Sequence, residues 1–192
     1  MWRKTSEMAS PELAGADPYA DQVPPSRMIP LWGAISAAGF CEITYHERRK
    51  LKKEDWLAVL NAGKLRTAIG KLQPSVRRGP WRILCDNEGF LTAPGPKAYY
   101  KKKHIKLLHI PARSPDLNPI ESFWGWLRQR LRRLDLVDLR NGRPALGKTA
   151  YKARVKAVLR TKKAQNVAKA KFLALKKVCR EVCKKKGAAS RS

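Results

Sequence analysis

Apolar and polar positions form short regular patterns from Ile29 onward, whereas the first 28 positions show no sustained period. Residues 1–28 contain four prolines among small and charged residues, and such a composition cannot bury enough apolar surface to order a chain. We therefore predict a disordered segment over 1–28. Two apolar runs follow, IPLWGAIS and GFCEITYH, with Ala38 and Gly39 between them, and this pattern predicts an antiparallel hairpin.

The region after the hairpin changes from a helical period to strand-like runs. Apolar residues recur at helical spacing from Leu51 to Leu72 and predict one helix that ends near Gln73 and Pro74. WRILCDN then has the composition of a buried strand, KAYYKKK that of a short helix and IKLLHI that of another strand. A strand, a helix and a strand in succession predict a right-handed parallel crossover. PARSPDLNP is a predicted loop.

The C-terminal half is predicted to be helical. Asn118 suits a helix cap and Pro119 the first helical position, and one apolar stripe follows at Ile120, Phe123, Trp124, Leu127, Leu131 and Leu134. Trp124 lies on this stripe and is predicted to be core, whereas Trp126 lies off it and its role is left open. Two basic helices follow, with stripes at Tyr151, Val155, Val158 and Leu159 and at Phe172, Leu175, Val178 and Val182. The predicted divisions are 1–28, 29–140 and 141–192.

The charge of the chain indicates a polyanionic partner. Its 42 Lys and Arg residues exceed its 15 Asp and Glu residues, which gives a net charge of +27 and a pI near 10.5. Sixteen of these net positive charges lie in residues 141–192. DNA or RNA is the expected partner of so basic a protein. No run is long enough and apolar enough for a signal peptide or a membrane span, so we expect a soluble protein without a membrane partner.

Two acidic residues stand where a site in an α/β domain would form. Asp86 ends a predicted strand and Glu121 lies in the first turn of a predicted helix, and such points meet at the rim of a sheet. Paired carboxylates favour a hard cation such as Mg²⁺ or Mn²⁺. Bound metal could activate a water or a 3′-hydroxyl and stabilise the leaving oxygen of a phosphodiester.

The motifs LCDN and SPDLNPIE, with SFWGWLR after them, resemble the second and third acidic motifs of the Tc/mariner superfamily of DDE transposases. Asp86 and Glu121 are separated by 34 residues, which is typical of the Tc-type branch with glutamate in third place. LWGAIS and VCKKKGAAS resemble the second strand and the basic C-terminal end of that domain. The resemblance covers about residues 31–190.

This resemblance implies an α/β, RNase H-like catalytic domain with basic C-terminal helices, acting in DNA transposition. The lysine clusters and a DNA substrate predict a nuclear location. Asp86 and Glu121 would be catalytic and would bind Mg²⁺ or Mn²⁺, and the loop from Ser114 to Pro119 would shape the entrance to their site. Predicted nucleic-acid contacts are Asn87, Lys101, Lys102, Lys103, Arg113, Asn118, Arg128 and Arg132. Homo-oligomerisation is left open.

The sequence departs from the family pattern at the first of its three acids. Only Glu7, Glu12, Asp17 and Asp21 precede Trp32, and none of them ends an apolar run. We therefore predict an incomplete domain without its first central strand, in which the hairpin and the ILCD strand each keep one unpaired edge. The helix-turn-helix region of the family is also missing. Two carboxylates should hold metal weakly, so the chain is expected to be an inactive transposase fragment as it stands.

Simpler interpretations remain for the same residues. Glu121 stands three positions after Asn118, the spacing of a capping box, and Asp86 with Asn87 could form an ordinary turn at a strand end. Lys101, Lys102 and Lys103 could be a solvated helix end. At the level of function, the alternative is a non-enzymatic, basic nucleic-acid-binding or ribosome-associated protein whose helical tail is the functional part. A translated relic without a selected function is the third possibility.

Overall fold

The computed structural model describes residues 29–46, 51–75, 79–111 and 114–185. The predicted disordered segment over 1–28 and the candidate contact Arg113 lie outside these ranges. Within them, four strands and six α-helices follow one another in the order β1, β2, α1, α2, β3, α3, β4, α4, α5 and α6.

The predicted hairpin is confirmed. Strands β1 (Leu31–Ser36) and β2 (Gly39–Tyr45) pair antiparallel, and Ile35 lies opposite Phe40. Gly39 opens β2 at a φ of +120°, which a residue with a side chain adopts only with strain. A Cβ atom at Gly33 would lie 2.4 Å from the ring of Phe40, so the ring packs directly on the backbone of β1.

The single helix predicted from Leu51 to Leu72 is wrong. The structure has two helices there, α1 (Lys53–Asn61) and α2 (Lys64–Leu72). Gly63 lies between them at a φ of +70°, a left-handed conformation that ends one helix and turns the chain into the next. Both helices still bury their apolar faces, which is why the period continues across the break. The predicted end near Gln73 is confirmed.

The strand, helix and strand predicted next are also confirmed. Strands β3 (Trp81–Cys85) and β4 (Ile105–His109) pair in parallel and are joined by a 3₁₀ turn over Gly89–Thr92 and by α3 (Pro94–Lys102). The side-chain amide of Asn87 donates a hydrogen bond to the carbonyl of Ile110 at 2.9 Å. This bond ties together the segments that follow the two strands.

The long helix α4 (Pro119–Arg140) follows a 3₁₀ turn at Pro115–Leu117. Its predicted stripe faces inward: Phe123, Leu127 and Leu131 are buried, and the rest of the stripe packs against the same cluster. Trp124 is partly buried there, as predicted for a core residue. Trp126 joins the cluster too, because its ring stacks on Phe123 with a centroid distance of 5.7 Å.

Helices α5 (Lys148–Arg160) and α6 (Lys162–Lys184) pack on α4 and on the hairpin. The stripe predicted for α5 is confirmed by buried Val155, Val158 and Leu159. The stripe predicted for α6 is only half-buried, and the fully buried residues of this helix are the smaller Ala164 and Ala168. Between them, Gln165 accepts a bond from the amide of Phe40 and donates one to the carbonyl of Leu159.

The described strands form two separate pairs, β1–β2 and β3–β4, rather than one sheet. One buried cluster packs α1, α2 and α3 on β3 and β4, and it includes Trp56, Leu60 and Trp81. The other packs α4, α5 and α6 on the hairpin and includes Phe40, Phe123 and Leu159. The α/β class is therefore confirmed. Among the described residues, the arrangement also has the predicted gap between the hairpin and β3.

Candidate functional site

Asp86 and Glu121 lie on the same cavity although they come from different elements. Asp86 follows the last residue of β3, and Glu121 lies in the first turn of α4. Both line a cavity of about 780 Å³ between the two strand pairs. The parallel β3–β4 pair places the acid at its carboxyl end, where ligand sites of α/β sheets collect.

Asn118 connects the two acidic elements. Its side-chain amide donates a 2.7 Å hydrogen bond to Oδ1 of Asp86. Asn118 itself is buried and directly precedes α4, so this bond fixes the start of α4 beside the end of β3. Asn118 is the N-cap residue of α4 and Pro119 its first residue, as predicted, but the Asn118 side chain makes no capping hydrogen bond. Glu121 likewise forms no capping box with Asn118 at this helix start.

The pKa of the Glu121 carboxyl is affected by a nearby acidic residue. Burial raises its pKa above the ordinary value, the charge of Asp86 raises it further, and Arg128 lowers it. Burial and the same Asp86 charge raise the pKa of Cys85 to about 11, so its thiol is protonated at neutral pH. The charge of Asp86 therefore reaches Glu121 and makes the ionised form of Glu121 less favourable.

Two predicted DNA contacts follow Glu121 along α4. Arg128 and Arg132 are seven and eleven positions after Glu121, which places them on the same helix face, and both are exposed. Asn87 is exposed beside Asp86, with its amide nitrogen bound to Ile110. Of these three residues, Asn87 adjoins Asp86 and Arg128 acts on the charge of Glu121, and the contact of all three with DNA stays a prediction.

The lysines of α3 belong to another part of the surface. Lys102 and Lys103 line a second cavity of about 480 Å³ together with Arg66, and none of its lining residues belongs to the cavity at Asp86. Lys101 is exposed in the last turn of the same helix. The structure thus brings Asp86, Asn118 and Glu121 together and leaves the three lysines on a separate basic surface.

Sequence reasoning missed two features of this site. It gave Asn118 to the helix cap, although an amide that precedes an acidic helix start could also serve a second acid. It also passed over Glu88, which lines the same cavity two positions after Asp86. Within the described ranges, however, no three His, Cys, Asp or Glu side chains converge as a metal-binding group.

The side-chain oxygen atoms at this site are of the kind that bind a hard divalent cation. Asp86 and Glu121 supply carboxylate oxygens. Burial and then the charge of Asp86 raise the pKa of Glu121, and a bound cation would favour its ionised form again. One Asp86 oxygen already accepts from Asn118, which orients the carboxylate as outer partners of metal ligands do. Two carboxylates form only part of a complete set of protein ligands.

The fold resembles that of solved transposase domains. Two structures of the Mos1 transposase catalytic domain with Raltegravir, one with Mn and one with Mg, superpose with a TM-score of 0.56 at 14% identity. The match covers 88% of this chain and 87% and 88% of those chains. The molecule is therefore of the RNase H-like class, with acidic residues after β3 and at the start of α4.

Sequence relationships give the family. A family model described as DDE superfamily endonuclease matches residues 3–140. The Tc3 transposase of Caenorhabditis elegans is 34% identical over 99 residues, and the Tc1 transposase of the same organism is 41% identical over 46. The chain belongs to the DDE superfamily endonuclease family, in the Tc/mariner branch of DDE transposases.

The match to these relatives is partial. It covers 52% of this chain but 28% of the Tc3 transposase, and 24% of this chain but 17% of the Tc1 transposase. The family match ends at Arg140, the last residue of α4, and α5 and α6 lie beyond it. No helix in the described ranges has the length and apolar character of a membrane span.

Proposed function

We propose that this chain is a nuclear, DNA-binding fragment of a transposase catalytic domain, in which Asp86 and Glu121 form part of a metal site for phosphodiester cleavage and strand transfer. The hydrogen bond between Asn118 and Asp86 carries the proposal. It joins the two motifs that the family resemblance pairs, across 32 positions of sequence. Simple local turns at each acid would not need this bond.

The roles of the side chains follow from their placement. Asp86 is a ligand whose orientation is set by Asn118, and Glu121 is a ligand at the positive end of the α4 dipole. Arg128 and Arg132 lie on the same face of α4 and would bind the phosphates on either side of the reacting one. When bound, Mg²⁺ or Mn²⁺ would neutralise phosphate charge and lower the pKa of an attacking water or hydroxyl.

We also propose that this chain alone does not cleave DNA. The resemblance implies three carboxylates, and the described residues bring only Asp86 and Glu121 together on this part of the cavity. Among the described residues the first of these three carboxylates has no counterpart, so metal should bind weakly and be poorly positioned. The domain would still bind DNA, because its charge is strongly positive.

Nicking of supercoiled plasmid by the purified chain in Mg²⁺ or Mn²⁺ tests the inactivity. We expect no nicking above the level of a Glu121→Gln variant. Nicking that Glu121→Gln abolishes would overturn the inactivity and support the roles of the acids. Calorimetric titration with Mn²⁺ tests the site separately: weak binding that Asp86→Asn removes is expected, and binding unchanged by both variants would overturn the metal site.

A further inference from the structure

Helix α5 carries a row of cations along one side. The row consists of four basic residues at intervals of four positions, Lys148, Lys152, Lys156 and Arg160. Residues so spaced lie one above the other on a helix, and each interval advances about 6 Å along its axis. We call these four residues the α5 cation row. The row lies beyond the family match, which ends at Arg140.

The α5 cation row is electrostatically unfavourable when nothing is bound to it. Like charges four positions apart on a helix repel each other, and Lys148 adds a positive charge at the positive end of the helix dipole. Helix α5 contains no acidic residue, and no member of the row forms an ion pair with another described residue. Arg154 of the same helix, by contrast, is paired with Asp135 and Asp138. A bound anion would therefore relieve the repulsion within the row.

The ring of Tyr45 holds the middle of the row in place. The ammonium groups of Lys152 and Lys156 lie 5.0 and 4.9 Å from the centroid of this ring, within the range of a cation–π interaction. The Tyr45 hydroxyl donates a 3.0 Å hydrogen bond to Glu42. Burial and then Glu42 raise the pKa of Tyr45, and the charge of Arg160 lowers it. Three cations from successive turns thus converge on one aromatic residue, which restricts the two lysines before any ligand binds.

The outward face of α5 beside the row consists of small side chains. Its exposed residues are Thr149, Ala150, Ala153 and Ala157. A bulky partner can therefore approach the helix backbone without displacing long side chains. None of these four residues is long enough to reach deep into a groove and read a base edge, so the surface suits contacts to a backbone rather than to bases.

A polyanion with regularly repeated charges matches a row of cations that advances in equal steps. Neighbouring phosphates along a nucleic-acid strand have a separation similar to one step of the row. We propose that the α5 cation row binds the phosphodiester backbone of a nucleic acid independently of base sequence, with Tyr45 as the positioning residue for Lys152 and Lys156. This surface rests on the DNA-binding part of the proposed function and does not need the metal site.

Fluorescence anisotropy with the full 192-residue chain and a short DNA duplex tests the location. Changing Lys152 and Lys156 together to Gln should weaken binding about tenfold at low salt. It should also make the logarithmic salt slope shallower by about 1.8, because each phosphate contact contributes about 0.9. The control changes Lys169 and Lys176 of α6 to Gln, which removes the same charge at two exposed positions. This control should lose less than half as much slope, and circular dichroism checks that both variants are folded.

Two variants of Tyr45 test its positioning role. Tyr45→Phe keeps the ring and loses only the bond to Glu42, so the affinity for the duplex should stay within about twofold. Tyr45→Leu removes the ring under both ammonium groups and should weaken binding about fivefold while the salt slope changes little, because both charges remain. Equal affinities of the Phe and Leu variants would overturn the positioning role.

The proposed surface is overturned if the α5 and α6 double variants lose the same affinity and the same slope. It is also overturned if a poly-glutamate peptide of equal charge displaces the duplex as well as unlabelled duplex does, since the row would then be a general site for acidic proteins. DNA binding that survives loss of the row would leave the proposed function standing. A chain that binds no duplex at all would overturn both this surface and the DNA-binding part of that function.

Discussion

The amide of Asn118 determines how the two acids are held. It is buried and precedes α4, its amide nitrogen donates to Oδ1 of Asp86, and its side-chain oxygen accepts no capping bond from the helix backbone. A carboxylate held by an amide loses rotational freedom before any ligand arrives, so less order has to be imposed on binding. The geometry of the candidate metal site therefore depends on a residue that is not itself an acid.

Replacing Asn118 by Ala should reduce Mn²⁺ affinity by about tenfold, the lower end of the effect of outer partners on metal ligands. The side chain that orients Asp86 is lost while both carboxylates remain. Titration calorimetry measures the change, and Asn61→Ala is the control, because Asn61 is exposed and lines the other cavity. Equal affinities in the Asn118 variant and the unmodified chain would remove Asn118 from the site.

An ion-pair cluster at the end of α4 gives a second prediction for single residues. Arg154 of α5 bonds to Asp135 at 2.6 Å and also to Asp138. Its bond to Asp138, and then that of Arg143, lower the pKa of Asp138. An acid whose pKa is lowered by folding stabilises the protein above its unfolded pKa, and this stability is lost as the pH falls through the folded pKa. Arg154→Met should therefore be less stable at pH 7.

Urea denaturation at several pH values measures this effect. The difference in unfolding free energy between Arg154→Met and the unmodified chain should narrow as the pH falls through the lowered pKa of Asp138, because Asp138 then loses its charge in both proteins. Arg130→Met, on the exposed face of α4, should show a small change with no such trend. A gap that is independent of pH would mean that Arg154 acts through packing alone.

At the level of elements, α6 packs on the hairpin through small residues. Ala164 and Ala168 are completely buried, and Gln165 between them bonds to the backbone of β2 and of α5. Small side chains let the helix approach closely enough for this polar bridge to form. The position of α6 on the hairpin therefore depends on the small size of these side chains as well as on their hydrophobicity.

Ala168→Leu should lower the free energy of unfolding by about 1–3 kcal/mol, because added methyl groups find no space in a filled interface. Ala174→Leu is the matched control, since Ala174 is exposed on the same helix and has the same helix propensity change. Urea denaturation compares the two. If both variants have the stability of the unmodified chain, the packing of α6 is looser than described.

The elements also show what could be predicted from the sequence. The strands and α4 were predictable because their apolar periods are long and unambiguous, and the parallel pairing of β3 and β4 followed from the helix between them. The break at Gly63 was missed because apolar residues keep their spacing across it. The close packing of Ala164 and Ala168 was missed because a pattern of large apolar residues gives small ones no weight.

The sequence predicted the two acids of the candidate site but not the hydrogen bond that connects their elements. Asp86 and Glu121 could be paired by motif and spacing, but a hydrogen bond between side chains 32 positions apart depends on the tertiary fold. For the same reason the sequence could not show that Lys102 and Lys103 line a different cavity from the acids. Local propensity predicts elements, and only their packing shows which polar groups meet.

For the molecule as a whole, charge should dominate DNA binding. With a net charge of +27, the chain should lose affinity for duplex DNA steeply as the salt concentration rises. In a plot of the logarithm of the binding constant against the logarithm of the salt concentration, each phosphate contact contributes about −0.9 to the slope. Replacing Lys101, Lys102 and Lys103 by Gln should reduce this slope by up to about 3 if all three contact phosphates. Fluorescence anisotropy over a range of salt concentrations measures it.

The matched variant carries Gln at Lys163, Lys169 and Lys176, three exposed positions of α6. Equal slopes for the two triple variants would mean that DNA binding is spread over the surface. A larger loss from the α6 variant would favour the alternative in which the C-terminal helices are the functional part. A larger loss from the α3 variant supports the predicted contacts.

Dividing the buried side chains into two clusters has a consequence for cooperativity. Trp56 and its neighbours and Phe123 and its neighbours lie in separate clusters, with the cavity of about 780 Å³ between the two strand pairs, and hairpin residues pack on both clusters. Regions with separate cores can open one at a time, each with its own free energy. The molecule is therefore built as two folding units. Heat or denaturant should unfold these units in separate stages instead of in a single step.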